Sequence, residues 1–418
     1  MKILILGAGV LGTMTAYYLQ KAGHEVEVID SASDVAQGAS YANGGIVHAS
    51  EVMPWSQPGM PRKILSWLGN ESAPVLVRYS AIPRIWRWGF HFLKNCSDHR
   101  FRNNTLANLR LALHSQQCFK EVRQELNLDY DLNTNGALKI FRKNESLDNA
   151  VSFNESMREF GMNSRALTPS ECLQIEPALG ESSEFLAGGI FFPDDEVGDS
   201  YKFTRGVANY CKRNGTVFRL NTDIVRLEHS QGKIERAITT RGSFSADRYV
   251  VALGAQSPFL LKPLKIHVPI YPVKGVSITF PSDLWPNPAR MATIDDELVY
   301  ALVPLGNRVR IVGSAEITNY DTTPDETRCA AIVKNALSVF PDLKEPFNKA
   351  KPTLWAGLRP VTPTGTPLLG ETSIPNLFLN TGHCHQGWTL SCGSAQIVAD
   401  IVNEQSPKIN LEHLGLNS

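Results

Sequence analysis

The chain has 418 residues, of which 43% are apolar and 20% are charged, and its 41 basic residues balance 41 acidic ones. This length predicts two domains rather than one simple core. The zero net charge excludes a general attraction for nucleic acid or for an anionic membrane, although it leaves room for local patches.

The first thirty residues have the strand–turn–helix–strand pattern of a dinucleotide-binding unit. The strand KILIL (residues 2–6), the turn GAGVLG (7–12) and a helical pattern to about Lys21 are followed by the strand EVEVID, which ends at Asp30. The glycines argue against a signal peptide, and no uninterrupted apolar run reaches about 18 residues, so no membrane span is predicted.

Each glycine of this turn has a separate physical role. Gly7 permits the tight turn, Gly9 lets the backbone approach a pyrophosphate, and Gly12 lets the helix pack on the strand. Asp30 can accept hydrogen bonds from ribose hydroxyls, but FAD and NAD share this pattern. The predicted contacts in this unit are Gly7, Gly9, Val10, Leu11, Gly12, Asp30 and Ser31.

A second loop, GASYANGGIV at 38–47, consists largely of small or polar residues. Its exposed N–H groups suit a second layer around a pyrophosphate and a flavin edge, and the alternative is an ordinary surface loop. His48 follows the loop and is a candidate close to the flavin, with a plain loop histidine as the alternative. The predicted contacts here are Ala39, Ser40, Asn43, Gly44, Gly45 and Ile46.

Residues 53–95 contain four of the seven tryptophans, interspersed with Arg and Lys. One interpretation is an amphipathic surface at a membrane interface, and the other, which we favour, is a hydrophobic lid or helix of a substrate domain. The residues concerned are Trp86, Trp88, Phe90 and Phe92 beside Arg84, Arg87 and Lys94.

The remaining elements alternate between strands and helices. ADRYVVALGA (246–255) predicts a strand that returns to the dinucleotide unit and faces the cofactor at Gly254. Other predicted elements are helices at 104–126, 200–213 (capped by Asp199 or Ser200), 326–339 and 387–403, and strands at 136–142, 217–255, 266–316 (with a PLGN hairpin turn) and 376–383. The predicted cofactor contacts of this part are Ile224, Val225, Gly254 and Ala255.

This order predicts an α/β fold, α+β overall, in which a discontinuous Rossmann-like cofactor domain carries an inserted, antiparallel β-rich substrate domain. We expect the cofactor domain at 1–52, 164–265 and 348–418, and the substrate domain at 53–163 and 266–347.

Seven blocks, spread over essentially the whole chain, resemble the FAD-dependent D-amino-acid oxidase superfamily, in its branch of glycine oxidases and bacterial D-amino-acid dehydrogenases. The last two blocks together are the most specific. The blocks are ILGAGVLG, ASYANGGIV, PW..PG.P at 54–61, YPVKGVSIT at 271–279, VGSAE at 312–316, WAGLRPVTPTGTPLLG at 355–370 and LNTGHCHQGWTLSCGSAQ at 379–396.

The resemblance implies a noncovalent FAD enzyme that transfers hydride from the α carbon of a D-amino acid to flavin N5. The imino acid then hydrolyses to a 2-oxo acid and ammonia. Electrons would pass to a quinone or another respiratory acceptor, and the protein would be cytoplasmic, with peripheral contact to the inner face of the cytoplasmic membrane. The resemblance gives no oligomeric state.

The resemblance also assigns roles to the C-terminal blocks. The arginine of GxRP, here Arg359, would hold the substrate carboxylate, and the GHxxxG block would reach the pyrimidine end of the flavin. Cys384 and His385 depart from the GHG of the dehydrogenases, which leaves the substrate preference open. The implied cofactor contacts are Gly357, Arg359, Gly382, His383, Gln386, Gly387, Trp388 and Thr389.

The chemistry of the Arg359 side chain also supports a role in positioning a substrate carboxylate. A planar guanidinium forms two parallel bonds to a carboxylate, which a lysine cannot do equally well, and an apolar frame strengthens those bonds. Tyr300 and Tyr271 are candidates to share the carboxylate or cap the site, with half-buried sheet residues as the alternative. Lys274 is a further candidate for contact with the substrate or the flavin, as the resemblance implies. For Arg359, the alternative to carboxylate binding is a structural ion pair.

No metal site is predicted. His383, Cys384 and His385 have metal-ligand chemistry, but no further cluster supports them and flavin contact explains the glycines better. The seven cysteines lack CxxC pairs, which favours reduced thiols over a disulfide framework. Cys384 or Cys392 could tether a flavin, whereas the resemblance implies a noncovalent one.

Three alternatives remain at this point. A glycine/sarcosine- or hydroxyproline-type amine oxidase or dehydrogenase could use oxygen or a quinone, and the sequence does not separate the acceptors. A non-catalytic FAD subunit would need a partner for activity. An NAD-dependent dehydrogenase is disfavoured because it leaves the Gly-rich C-terminal block without a role.

Overall fold

The computed structural model describes residues 1–67, 75–77 and 81–416. Its α-helices are α1 (Val10–Lys21), α2 (Met60–Trp67), α3 (Ile82–Asn95), α4 (Asp98–Leu126), α5 (Asn144–Arg158), α6 (Pro169–Ile175), α7 (Ser200–Arg213), α8 (Ser257–Leu261), α9 (Glu326–Val339), α10 (Lys344–Lys349) and α11 (Ser391–Val402). A search of the described residues finds no helix that could span a bilayer.

The strands follow the same numbering in chain order. They are β1 (Lys2–Leu6), β2 (Glu25–Ile29), β3 (Ile46–Val47), β4 (Val75–Val77), β5 (Ala137–Phe141), β6 (Arg165–Leu167), β7 (Gly188–Phe192), β8 (Glu196–Val197), β9 (Val217–Arg219), β10 (Ile224–Ser230), β11 (Lys233–Thr239), β12 (Gly242–Phe244), β13 (Arg248–Val251), β14 (Tyr271–Pro281), β15 (Ala292–Asp295), β16 (Tyr300–Leu305), β17 (Arg308–Ile317), β18 (Thr353–Val361), β19 (Leu368–Glu371) and β20 (Leu377–Thr381).

The smaller of the two main sheets is the predicted Rossmann-like sheet. Its strand order is β19-β20-β13-β1-β2-β9, and all neighbours are parallel except β19 and β20. Helices α1 and α11 pack on it around an apolar core, and α7 packs on α1 while α4 packs on α11. The expected return of the chain through β13 beside β1 is confirmed, because Ile5 pairs with Val250 in parallel register.

The larger sheet is mostly antiparallel and has the order β18-β14-β17-β16-β15-β5-β7-β6, with β4 paired to β17. Helix α9 covers one face and buries an apolar core there. The opposite face packs on Ile46 and Val197, so it lies against the second loop of the dinucleotide unit. The two sheets therefore enclose the region that both predicted cofactor loops approach.

Several local predictions are confirmed. Helix α7 begins at Ser200, and the side chain of Asp199 caps it by accepting the N–H groups of Tyr201 and Lys202. Helix α9 has the predicted bounds. The last helix begins at Ser391 rather than at Gly387, because the preceding residues form a turn.

Strand pairing differs from the expected grouping in three places. Strands β6, β7 and β18 belong to the larger sheet, although the sequence predicts their segments in the cofactor domain. The reason is that β14 and β5 need partners on their open edges, and these partners come from distant parts of the chain. The domain bounds themselves stay a prediction.

Candidate cofactor and substrate site

The turn between β1 and α1 is built around two glycines that the protein itself requires. Gly7 has φ +113°, and a Cβ there would lie 2.5 Å from the carbonyl oxygen of Ala252. A Cβ on Gly12 would lie well under 3.0 Å from the carbonyl oxygen of Gly7. Both positions therefore exclude any side chain for reasons of packing alone.

Gly9 is different, because the protein leaves room for a side chain there. Its φ is −67°, and a Cβ would meet only the Oγ of Ser40, at 3.6 Å. No side chain caps the start of α1 at Gly9, and Ser40 Oγ accepts the N–H of Val10 at 3.2 Å. The beginning of α1, with Leu11 in the first turn, is thus open to an anionic group that needs close backbone approach.

Asp30 holds this turn in place. Its Oδ2 accepts the N–H of Ala8 at 2.6 Å and its Oδ1 accepts the N–H of Ala32 at 2.8 Å. Each carboxylate oxygen has a second lone pair, so a ribose contact stays compatible with these bonds. Ser31, beside it, is exposed.

The second loop is fixed by contacts to the larger sheet. Arg310 on β17 donates from Nη1 to the carbonyl oxygen of Asn43 at 2.9 Å, and its side chain is nearly fully buried. Gly45 has φ +68°, and its carbonyl oxygen accepts the N–H of Gly198 at 2.7 Å. Sequence reasoning missed Arg310, because a charge within an apolar strand gives no local indication of a loop contact. Ala39 is exposed, Gly44 is half-buried and Ile46 is buried.

The remaining predicted cofactor contacts lie at the carboxyl side of the Rossmann-like sheet. Gly254 follows β13 with φ +51°, and its carbonyl oxygen accepts the Oγ1–H of Thr381 at 3.2 Å. The carbonyl oxygen of Ala255 accepts the hydroxyl of Tyr320 at 3.1 Å. Ile224 and Val225 begin β10, two residues after Thr222, whose N–H donates to the Asp30 carbonyl oxygen at 2.9 Å.

Arg359 reaches across the larger sheet from its edge strand. It is half-buried on β18 opposite Val273, and its guanidinium lies over Gly275 of β14, where a Cβ would come under 3.0 Å from it. Its Nη1 donates to the carbonyl oxygen of Ser314 on β17 at 3.0 Å. A strand-interior glycine of this kind marks a close approach, and here the approaching group is the guanidinium.

Among the described residues, the Arg359 cation lies over one aromatic ring and contacts no counter-charge. Its Cζ lies 5.7 Å from the ring centroid of Trp55. Burial lowers the pKa of the guanidinium to about 10, while the charge of Glu316 opposes this shift, so Arg359 stays protonated near neutral pH. Within the described ranges, no carboxylate forms an ion pair with Arg359.

The two tyrosine candidates lie on different faces of the sheet. Tyr300 pairs with Gly313, Gly313 with Val276, and Val276 with Ala356, so all four share one face. Arg359 is three residues from Ala356, and this odd separation places it on the opposite face. The structure therefore does not bring Tyr300 together with Arg359.

Tyr300 instead belongs to the core under α9. It is 3% exposed among apolar side chains, and burial raises the pKa of its hydroxyl. Tyr271 does share the face of Arg359, because it pairs with Val361, two residues beyond the arginine. Its hydroxyl donates to Asn319 Oδ1 at 3.1 Å, and its ring lies 6.0 Å from that of Trp88.

The GHCHQG turn joins the site from the Rossmann-like sheet. The N–H of Cys384 donates to the carbonyl oxygen of Pro360 at 3.1 Å, directly after Arg359. The ring of His385 stacks on Trp55 at 5.3 Å with an interplanar angle of 9°. The carbonyl oxygen of Glu51 accepts from His385 Nε2 at 3.1 Å and from Gln386 Nε2 at 2.6 Å. A carbonyl only accepts, so His385 carries its proton on Nε2.

The histidines of the site are neutral. Burial lowers the pKa of His385 to about 4, with the charge of Arg359 adding to the effect. Burial likewise lowers the pKa of His383 and of His48 to about 3. His383 shares a hydrogen bond with Ser394 Oγ at 2.9 Å, and the N–H of His48 donates to Thr389 Oγ1 at 3.2 Å.

The rest of the C-terminal block supports the turn. Gly382 has φ +77°, and a Cβ there would come 2.9 Å from Thr362. Trp388 packs edge-on against Phe119 and Phe203, with ring centroids at 4.8 and 5.0 Å. Gly387 is half-buried, and Gly357, opposite Gly275, lies under the ring of Trp355. In the described part of the chain, no group of three His, Cys, Asp or Glu side chains could hold a metal ion.

The site thus combines a phosphate-binding turn with one protonated guanidinium and several neutral imidazoles. Of the described residues named above, no histidine titrates near neutral pH. Such a site can orient a carboxylate beside a bound cofactor, and it suits chemistry that depends on positioning rather than on a protein acid or base.

Comparison with known proteins agrees with this geometry. The family model DAO, described as FAD dependent oxidoreductase, matches residues 2–401. A D-amino acid dehydrogenase of Paramagnetospirillum magneticum is 43% identical over 418 residues, covering 100% of this chain and 98% of that protein. One of Allorhizobium ampelinum is 40% identical with the same coverage.

Solved structures share the fold over nearly the whole length. Glycine oxidase from Geobacillus kaustophilus has a TM-score of 0.79 and 23% identity, covering 99% of this chain and 97% of its own. L-proline dehydrogenase from P. horikoshii also has a TM-score of 0.79, with 18% identity and coverage of 99% and 96%.

Proposed function

The chain belongs to the family of FAD-dependent oxidoreductases, and from this premise we propose that it oxidises D-amino acids to 2-oxo acids and ammonia with noncovalently bound FAD. The observation that carries the proposal is Arg359, a protonated guanidinium that the described residues leave without a carboxylate partner. The names of the relatives support the D-amino-acid substrate class.

The residues present fit FAD. A Cβ on Gly9 would fill space that the protein leaves open at the start of α1, and this space suits a pyrophosphate. Gly45 and the GHCHQG turn bring backbone from two further segments to the same side of the larger sheet. When bound there, FAD would supply the acceptor for the hydrogen on the substrate α carbon.

The chain's own residues would bind and orient the substrate. Arg359 would hold the carboxylate with two parallel hydrogen bonds. These bonds fix the plane of the carboxylate and so the position of the α carbon. The neutral imidazole of His385 adds no second positive charge beside the substrate amine. A single cation near that amine favours its neutral form, which is the form that can release hydride. Trp55 and Tyr271 would help exclude water from this face.

A panel of D- and L-amino acids, glycine, sarcosine and hydroxyprolines with a redox dye tests the proposal. We expect turnover of D-amino acids and reduction of the dye much faster than of oxygen, since we propose a quinone or other respiratory acceptor. Hydrogen peroxide formed as fast as the dye is reduced would instead indicate an oxidase. A yellow protein that turns over nothing on the panel would indicate a non-catalytic FAD subunit.

We also propose that the enzyme is cytoplasmic and contacts the inner face of the membrane through α3. Trp86, Phe90 and Leu93 are 61%, 55% and 49% exposed, and Arg87 and Lys94 lie over the rings of Trp86 and Phe90 at 5.1 and 4.8 Å. Such a basic, aromatic surface suits an anionic interface. The opposite side of α3 packs inward, as the lid interpretation expects.

Two of the aromatic residues provide that inward packing. Trp88 donates from Nε1 to the carbonyl oxygen of Val361 at 3.0 Å, and Phe92 is 7% exposed. The side chain of Arg84 lies outside the described residues.

The double variant Trp86→Ser/Phe90→Ser should lose sedimentation with vesicles of anionic phospholipid and keep its dye-linked activity in solution. The matched control is Phe185→Ser, since Phe185 is 76% exposed elsewhere on the surface. Wild-type protein that never sediments with these vesicles, or a control that is released as readily, would rule the interface out.

A further inference from the structure

We infer that Arg328 on α9 sets the orientation of Arg359 through Ser314, and thus acts as a positioning residue for the carboxylate subsite. This inference rests on the proposed function of Arg359 as the carboxylate anchor. It concerns Arg328, on the α9 side of the larger sheet, which sequence reasoning connected with no function.

The first observation is an irregularity in β17. The register between β14 and β17 shifts between Lys274, opposite Glu316, and Val276, opposite Gly313. Ser314 lies in this bulge with φ +63°, a left-handed conformation that side-chain-bearing residues rarely adopt. The bulge turns the Ser314 carbonyl towards Arg359, whose Nη1 donates to it at 3.0 Å.

The second observation is what holds Ser314 in that conformation. Arg328 donates to Ser314 Oγ from Nε at 3.0 Å and from Nη2 at 2.9 Å. The same hydroxyl donates to Glu316 Oε1 at 3.2 Å. A hydroxyl has one donor and two acceptor positions, so these three bonds use all of them and fix its orientation.

The support continues into a buried charge network. Arg328 Nε lies 3.2 Å from Glu316 Oε1, and Lys274 Nζ lies 3.4 Å from Glu316 Oε2. Lys274 also donates to Asp321 Oδ2 and to the Thr323 carbonyl oxygen, both at 3.0 Å. The side chains of Glu316 and Lys274 are 1% and 4% exposed, so solvent screens these interactions little.

The helix itself does not depend on the Arg328 side chain for its start. Asp325 caps α9 by accepting the N–H groups of Thr327 and Arg328, which are backbone donors. The Arg328 guanidinium, rather than its backbone, forms the two bonds to Ser314 Oγ. Two of its fork-shaped donors converge on one hydroxyl, a geometry that a lysine cannot reproduce.

The test is a double-mutant cycle of Arg328→Lys and Ser314→Gly. Arg328→Lys keeps a positive charge beside Glu316 but loses the fork, so we expect KM to rise about tenfold while kcat falls much less. Ser314→Gly keeps the carbonyl, and glycine adopts a positive φ without strain. In that background the second change, Arg328→Lys, should raise KM less than threefold.

A measurement that does not need turnover separates this inference from the proposed function. Titration with sodium benzoate, followed by the absorbance of bound FAD, reports carboxylate binding, and its dissociation constant should rise with KM. Loss of benzoate affinity in Arg328→Lys would support the positioning role even if no D-amino acid on the panel were oxidised. Unchanged benzoate affinity and KM, with only a lower melting temperature, would overturn it.

Arg142→Lys is the matched control. Arg142 also makes a short ion pair on the larger sheet, from Nη1 to Asp295 Oδ2 at 2.6 Å, and among the described residues it bonds neither Ser314 nor Arg359. We expect its KM and benzoate affinity to match those of wild type. An equal loss in this control would show that the effect is general destabilisation, which would also overturn the inference.

Discussion

Replacing Arg359 by alanine is expected to raise KM for the best substrate by roughly 30-fold to several thousand-fold, while FAD stays bound. Loss of one partner from a buried, hydrogen-bonded charge pair costs about 2–5 kcal/mol, and each 1.4 kcal/mol is a factor of about ten. The Arg359 guanidinium lies over Gly275 and bonds Ser314, not the phosphate-binding turn, so flavin affinity should not follow KM. Steady-state kinetics and flavin titration measure the two effects separately.

Two companion variants sharpen this prediction. Arg359→Lys keeps the charge but cannot form two parallel bonds, so its KM should lie between those of wild type and alanine. Gly275→Ala leaves the arginine in place but puts a Cβ under 3.0 Å from its guanidinium, so it should raise KM by displacing the group. Both effects come from geometry rather than from loss of charge.

The control is Arg241→Ala, because Arg241 is exposed at the turn between β11 and β12. Its kinetics should equal those of wild type. Wild-type KM in Arg359→Ala would refute the carboxylate assignment, and loss of FAD from that variant would assign Arg359 to cofactor binding or to the structure of the site.

The second large effect is expected at Gly9. Gly9→Ala should preserve the fold and weaken FAD binding by on the order of 100-fold, the scale of ~3 kcal/mol for a lost buried contact. The apoprotein has room for a Cβ at this position, 3.6 Å from Ser40 Oγ. A pyrophosphate bound against the Gly9 backbone would clash with that Cβ. Thermal unfolding of the apoprotein tests whether the fold is preserved, and flavin titration measures the loss of FAD affinity.

Gly12→Ala supplies the contrast. Its Cβ would overlap the carbonyl oxygen of Gly7, so the apoprotein itself should be destabilised. Gly89→Ala on α3 is the neutral control, since a Cβ there meets nothing within 4 Å. Normal FAD affinity in Gly9→Ala would contradict the assignment of this turn to the pyrophosphate.

The parts of the fold that were predicted correctly depend on short-range patterns. The strand–turn–helix at 2–21, the Asp199 cap of α7 and the bounds of α9 each follow from residues within a few positions of one another. Local hydrogen bonds and apolar periodicity decide these elements, and a sequence displays both directly.

The candidate site was predicted only in part. The glycine turn, the second loop and the C-terminal block are local motifs, and the structure places them around one region. Trp55 and His385 are 330 positions apart, so no sequence pattern could show that their rings stack. Arg328 and Ser314 likewise meet because α9 folds back onto a bulge in β17.

The sheet face on which Tyr300 lies could not be predicted from the sequence. Local patterns were enough to predict the Rossmann-like unit, the β-rich second sheet and an arginine in an apolar segment. Only the folded chain shows that β18, β14, β17 and β16 lie side by side, in a pairing that turns Arg359 to one face and Tyr300 to the other. Side chains alternate along a strand, so one residue of register reverses every face, and only the long-range pairing fixes that register.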